Sequence, residues 1–165
     1  MKKVVLFIAT SLFFAHFTMA QNAAEEEFVK KVYEALQKGN KKELLEKLTL
    51  QEGDYKQYND AQKAIGGKTM TPDEFNKFIE DKTFRMSRNY DELLRNATLN
   101  KVKMAETKYV SYKKVSEPSD VKPAGFYKIF CNLYDTYKIR MNIELCPFGD
   151  SFKLFYLEER MNVTM

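Results

Sequence analysis

The stretch "FYKIFCNLYDTYKIRMNIELC", residues 126–146, contains both cysteines of the chain and is the most strand-like part of the sequence. Apolar and polar residues alternate on both sides of Asp135 and Thr136, which is typical of a half-buried antiparallel hairpin. We predict that Cys131 lies opposite Ile139 in this hairpin. One face of the sheet is then apolar, and it is formed by Tyr127, Ile129, Cys131, Leu133, Tyr137, Ile139, Met141 and Ile143.

The residues after Asn100 predict an antiparallel meander, because short runs of β-branched and aromatic residues are separated by turn formers. Glu117 to Gly125 is predicted as a loop and residues 147–150 as a turn, since both contain Pro, Gly and Asp. The predicted strands are residues 107–115, 126–134, 137–146 and 152–157.

The first half of the chain is predicted to be helical. From Ala23 to Lys38 apolar residues recur at steps of three and four, and Gly39 ends this helix. Three glutamates, residues 25–27, suit the dipole of its first turn and are predicted to be solvated. Asn40 caps a short second helix, and one or two helical turns follow between Tyr55 and Ile65.

Thr71, Pro72 and Glu74 form a strong helix start, with Thr71 as the cap and Glu74 closing a capping box. The apolar positions that follow predict a long helix to about Asn96. Residues 83–89 offer an alternative in which that helix breaks in two. Helices first and an antiparallel meander afterwards predict an α+β fold of packed layers.

The chain begins MKKVVLFIATSLFFAHFTMAQN, in which two lysines precede an apolar run. Thr18 and Ala20 occupy positions −3 and −1 of a cleavage site, as in a secretory signal peptide. A membrane anchor is disfavoured, because the uncharged run from Val4 to Ala20 is seventeen residues long and no basic residue follows to stop transfer. We predict residues 1–20 as a signal peptide, residues 21–165 as one exported α+β domain, and a periplasmic or extracellular location without a stable membrane anchor.

Cleavage after Ala20 removes Lys2, Lys3 and His16 and no acidic residue. Of the 27 Lys and Arg residues 25 then remain, against 23 Asp and Glu residues, and no histidine is left. A chain without histidine has no His general base, no Ser-His or Cys-His pair and no His-ligated metal. The lysines occur in separated pairs among acidic residues, so the sequence does not predict a nucleic-acid partner.

Export and an even number of cysteines favour a disulfide on composition alone. In the predicted hairpin, however, Cys146 lies opposite Ala124, about seven residues along the ladder from Cys131. The two cysteines are then more than roughly 20 Å apart. A disulfide requires Cα atoms about 4.4–6.8 Å apart. We therefore predict two thiols and no disulfide, with Cys131 buried and Cys146 at a strand end.

Two short motifs and the glutamate run are interpreted as structural. "AIGGKT", residues 64–69, has Gln62 where a phosphate-binding loop has its first glycine, and no strand pattern precedes it. Residues 62–66 match the spacing of the cystatin inhibitory loop, but they lie between helices, so the match is attributed to chance. The glutamates at residues 25–27 diverge around a helix and do not converge on one metal ion. No metal or cofactor is predicted.

The order of the elements resembles the nuclear transport factor 2-like group with its cystatin-like cone. "EEEFVKKVYEALQKGNKKELLEKL", residues 25–48, and "FYKIFCNLYDTYKIRMNIELCPFGDSFKLFYLEE", residues 126–159, look like small exported bacterial proteins of that group, many of unknown function. The resemblance lies in element order and general pattern and includes no diagnostic motif. It implies a curved sheet that wraps the long helix and can enclose an apolar pocket, and it suggests a homodimer through the outer sheet face. Members include isomerases, dehydratases and binding domains, so the resemblance does not select a function.

Ketosteroid isomerase-like members of this group place an acid and a tyrosine inside the apolar cone. The acids of the strand half are not predicted to do so. Glu144 alternates with Ile143 and points away from the apolar face, Asp135 belongs to a turn, and Glu158 and Glu159 end the last strand. No catalytic residue is therefore predicted.

We predict an exported, non-catalytic binding or interaction protein of the cell envelope, with a small apolar ligand or an envelope protein as its partner. Two alternatives remain open: a small-molecule isomerase or hydro-lyase that uses a tyrosine and a buried acid, and an inhibitor or immunity-type protein that presents residues 51–70. A fully packed interior is the alternative to an apolar pocket between helices and sheet. The candidate pocket residues are Phe28, Tyr33, Tyr127, Ile129, Ile139, Met141 and Tyr156.

Overall fold

A computed structural model of the chain describes residues 23–64, 66–115, 127–134, 138–148 and 151–164. Its helices are α1 (residues 23–37), α2 (Lys41–Glu43), α3 (Tyr55–Ala64) and α4 (Pro72–Leu99), and its strands are β1 (Tyr109–Val115), β2 (Tyr127–Tyr134), β3 (Lys138–Phe148) and β4 (Ser151–Thr164). The strands form an antiparallel sheet in the order β1-β2-β3-β4, and α4 packs along β4. The predicted α+β class, with helices packed on a C-terminal antiparallel sheet, is confirmed.

The helix boundaries follow the capping signals of the sequence. Gly39 has a φ of +66° and ends α1, and the side chain of Asn40 accepts a hydrogen bond from the backbone N–H of Glu43 at 3.1 Å. Thr71 and Glu74 form the predicted capping box. α4 then continues without a break for 28 residues, so the alternative of two shorter helices is wrong. The predicted signal peptide, the loop at residues 117–125 and the turn at Gly149 and Asp150 lie outside the described residues.

The register of the β2–β3 hairpin differs from the prediction by two residues. Cys131 pairs with Met141, and Leu133 pairs with Ile139. Because side chains alternate with a period of two, an even shift does not change the face, and Met141 and Ile143 of the predicted apolar face are both buried. The alternation of apolar and polar residues therefore predicts the face of Met141 and Ile143 correctly, but it does not specify which residues of the two strands pair.

β4 is longer than predicted and contains irregularities that change its alternation. Leu145 pairs with Leu154 and Glu144 pairs with Tyr156, so Phe155 is an extra residue in β4. One extra residue reverses the side on which the following side chains lie. Leu154 and Leu157 are consequently both buried, whereas Tyr156 is 38% exposed.

The described core residues form two apolar clusters, and α4 contributes to both. Phe75 and Ile79 belong to the smaller cluster with Tyr58 of α3, while Met86 and Leu93 belong to the larger one. The segment at residues 51–70, for which one or two helical turns were predicted, thus contains a ten-residue helix that packs on the N-terminal half of α4. The larger cluster joins α1, α4 and the sheet through Val29, Val32, Leu36, Leu44, Met141, Ile143, Leu145, Leu154 and Leu157.

A shielded ion pair connects the segment before α3 to the sheet. Lys153 Nζ lies 3.0 Å from Asp54 Oδ2, and each side chain is only 18% exposed. Asp54 Oδ2 also accepts a hydrogen bond from the backbone N–H of Gln51 at 2.8 Å. Because partial burial reduces screening by water, this pair is expected to contribute more than an exposed pair does.

We expect Lys153→Met to lower the free energy of unfolding by about 1–2 kcal/mol, because it leaves the partly buried Asp54 carboxylate without its cation. Lys56→Met is the matched control, since Lys56 lies 3.5 Å from Asp60 in an exposed pair. It is expected to cost less than about 0.5 kcal/mol. Urea unfolding of both variants measures the difference, and equal costs would contradict the role of the Lys153–Asp54 pair.

Candidate binding site

Three of the candidate pocket residues, Phe28, Tyr33 and Met141, are buried in the larger apolar cluster. The ring of Phe28 packs 6.1 Å from that of Phe152, and Met141 is 1% exposed. The Tyr33 hydroxyl is hydrogen-bonded to Thr107 Oγ1 at 2.7 Å. These three candidates therefore belong to the packed core, as the alternative to an apolar pocket predicted.

The remaining pocket candidates divide into two groups. Tyr156, predicted to line the pocket, is 38% exposed, because the extra residue in β4 directs its side chain away from the buried side of Leu154 and Leu157. The others, Tyr127, Ile129 and Ile139, occupy register positions opposite Leu145, Ile143 and Leu133. Their side chains lie outside the described part of the structure.

A polar groove lies instead between the C-terminal half of α4 and the strand β4. Its volume is about 680 Å³, within the range of about 300–1,000 Å³ that is typical of ligand sites. We call it the α4–β4 groove. It is lined by Arg88, Glu92, Arg95, Asn96, Asn100, Glu159, Arg160 and Met161.

The walls of the groove are held together by asparagine side chains of α4. Asn89 Nδ2 donates to the backbone carbonyl of Leu157 at 2.8 Å, and Asn96 Nδ2 donates to that of Glu159 at 2.8 Å. An edge strand presents unpaired carbonyl groups, and these two bonds satisfy carbonyls of β4. α4 is thereby fixed alongside β4, so residues on both elements face the same groove.

Of the three arginines that line the groove, only Arg95 is paired with another described residue. Arg95 donates from Nε and Nη2 to Glu92 Oε2, at 3.0 and 2.6 Å, and this pair is largely neutralised. Within the described part of the chain, neither Arg88 nor Arg160 makes a hydrogen bond or an ion pair. The groove therefore contains two uncommitted guanidinium groups, one on each wall.

Tyr156 of β4 is close enough to the groove residues Arg88 and Glu159 for their charges to affect its pKa. Burial of part of its side chain raises the pKa of Tyr156, and the charges of Glu159, Glu158 and Glu144 raise it further, whereas the charge of Arg88 lowers it. The hydroxyl of Tyr156 is therefore a neutral hydrogen-bonding group at physiological pH.

A buried carboxyl group was missed by the sequence prediction. Glu25, in the first turn of α1, is 0% exposed, although it was predicted to be solvated. Burial raises the pKa of Tyr112, and so do the charges of Glu25 and Glu26 and a hydrogen bond to Glu25. The signal was present in the sequence, because Glu25 precedes Phe28 and Val29 by three and four residues and so shares their buried face.

Sequence reasoning also missed the groove. Its α4 residues recur at steps of three and four along a polar stripe, which reads as an ordinary solvated face. Only the packing of β4 against that stripe converts it into one wall of a concave site. Nothing in the sequence shows which stripe of a long helix has a strand beside it.

Among the described residues, no three side chains of His, Cys, Asp or Glu are grouped so that they could hold a metal ion. Within the same residues, no helix combines the length and apolar character needed to cross a membrane. Comparison of the chain with protein-family profiles, with curated proteins and with solved structures finds no match.

Proposed function

We propose that this chain is an exported, non-catalytic binding protein of the cell envelope and that it recognises its ligand or partner protein in the α4–β4 groove. The observation that carries the proposal is the groove itself, which has the volume of a ligand site and a cation on each wall. The packing of Phe28, Tyr33 and Met141 supports an external site rather than an apolar pocket. Membership of the nuclear transport factor 2-like group remains part of the proposal and rests on element order.

Native mass spectrometry of protein purified from the cells that produce it tests this function. We expect a small molecule or a second protein to co-purify with the chain and to be absent from the double variant Arg88→Gln, Arg160→Gln. The matched control is Lys42→Gln, Lys56→Gln, which removes two exposed cations outside the groove and should retain the bound species. A bound species that both variants retain equally would contradict a site in the groove. The same spectra measure the oligomeric state, for which the resemblance implies a homodimer.

Export makes a separate prediction, which rests on the pattern of the first 20 residues. Expressed with its leader in a bacterium, the chain is expected to accumulate outside the cytoplasm with an N-terminus at Gln21. Intact-mass analysis of the fractionated protein measures this. Full-length protein that remains in the membrane fraction would contradict cleavage and favour an anchor.

The buried Glu25 beside Tyr112 favours one second candidate, a small-molecule isomerase or hydro-lyase. A carboxylate shielded from water and next to a phenol can remove a proton α to a carbonyl group while the phenol stabilises the enolate. Deuterium exchange into simple ketones, followed by NMR, tests it. Exchange that Glu25→Gln abolishes would support catalysis, whereas exchange equal to the buffer rate would exclude this activity for the ketones tested.

A further inference from the structure

We infer that the α4–β4 groove takes a small hydroxylated anion, that is, a sugar phosphate or a hydroxycarboxylate. This inference deepens the proposed function and rests on it. The shared chemistry is one or more anionic oxygens for the arginines, together with hydroxyl groups for the acceptors of the same groove.

The anionic part of the ligand follows from the two uncommitted arginines, one on each wall of the groove. Arg88 stands on α4 and Arg160 on β4, and both line the groove without a partner among the described residues. A guanidinium group presents a planar set of donors that matches carboxylate and phosphate oxygens. A ligand between the two walls can therefore satisfy both cations, and it gains more than a neutral ligand of the same size.

The hydroxyl part follows from the remaining side chains. Glu159 also lines the groove, and its carboxylate is an acceptor that would repel a second anionic group placed directly beside it. Asn96 and Asn100 use their Nδ2 groups on the carbonyls of Glu159 and Asn96. The groups of these side chains that remain for a ligand are acceptors, namely the Glu159 carboxylate and the two amide oxygens, and hydroxyl groups are the neutral donors that suit them.

Arg95 allows a test in which anion binding is expected to become tighter instead of weaker. Glu92 engages it at 2.6 Å and so withholds a third cation from the groove. Replacing Glu92 by glutamine removes the negative charge and makes Arg95 available to an anion. We expect this variant to bind anions more tightly than the wild type, by about 3- to 10-fold.

The experiment is calorimetric titration of the purified protein with glucose 6-phosphate and with citrate, at an ionic strength of about 20 mM so that screening is weak. Glucose is the uncharged control ligand. We expect at least one anion to bind and glucose not to bind. Arg88→Gln, Arg160→Gln should weaken that binding by about 10- to 100-fold, whereas Lys42→Gln, Lys56→Gln should change it less than about twofold. Circular dichroism establishes that every variant is folded.

The outcomes separate this inference from the proposed function. Binding of neither anion, equal binding of glucose, or equal losses in the groove variant and the surface control would each overturn the inference. If in those cases a neutral or cationic molecule co-purifies with the wild type and is lost from the groove variant, the proposed function stands. If anions bind to the wild type and Glu92→Gln lowers their affinity, the assignment of Arg95 as a withheld cation is overturned.

Discussion

Replacing Leu157 by alanine is expected to lower the free energy of unfolding by about 2–5 kcal/mol, because it creates a cavity in a closely packed core. The side chain of Leu157 is 0% exposed and packs in the larger cluster, between the sheet and the helices. Tyr156→Ala, at the neighbouring position, is the matched control. Its side chain is 38% exposed, and its truncation is expected to cost about 1 kcal/mol or less.

This pair of variants tests the extra residue in β4 directly. Simple alternation from Phe152 through Leu154 places Tyr156 inside and Leu157 outside, which is the opposite assignment. Chemical unfolding of the two variants decides between them. A larger loss in Tyr156→Ala than in Leu157→Ala would contradict the irregular pairing of β3 with β4.

The second large effect is a loss of stability at alkaline pH caused by Cys146. This cysteine carries a buried thiol that is not part of a disulfide. Burial raises the pKa of Cys146 from 9.0 to about 11, because the thiolate would lose its hydration. Below pH 9 the thiol is protonated in both the folded and the unfolded state, so its contribution to stability is complete. As the pH rises from 9 to 11 the unfolded state ionises first, and that contribution is lost.

The loss attributable to Cys146 is about 2 kcal/mol at pH 10.5, since two pKa units correspond to about 2.7 kcal/mol in full. Lysines and tyrosines titrate in the same range, so the comparison is with Cys146→Ala. Between pH 8 and pH 10.5 we expect the free energy of unfolding of the wild type to fall by about 2 kcal/mol more than that of Cys146→Ala. A difference that does not change with pH would show that the thiol is accessible to water in the folded state.

The observed register, like the predicted one, argues against a disulfide between Cys131 and Cys146. Cys131 pairs with Met141, which is five residues from Cys146 along β3. At roughly 3.3 Å per residue this is about 16 Å, still far beyond the reach of a disulfide. The estimate from the sequence was longer because it placed the partner of Cys131 two residues too early.

The parts of the fold that were predictable are those governed by local chemistry. Asn40, Thr71 and Gly39 are short-range signals, and each begins or ends a helix as the sequence indicates. The α+β class followed because helical and strand periodicities occupy different halves of the chain. Both depend on neighbours within a few residues, which a single sequence contains.

The parts that were not predictable depend on neighbours distant in the chain. The pairing of Cys131, the outward direction of Tyr156 and the position of β4 beside α4 are set by contacts between separate elements. Glu25 is an intermediate case, because its place on the apolar face could be read from its spacing to Phe28. Its burial depended on the sheet that covers that face.

The central claim is that recognition takes place in the α4–β4 groove and not inside the fold. Methionine methyl groups report on both places, because Met161 lines the groove while Met141 is 1% exposed in the core. The measurement is the NMR spectrum of protein labelled with ¹³C at its methionine methyl groups, recorded before and after addition of a soluble extract of the cell envelope. Met→Leu variants assign the two signals. We predict that the Met161 signal moves and the Met141 signal does not. Movement of Met141 with an unchanged Met161 would place the ligand inside the fold and contradict the claim.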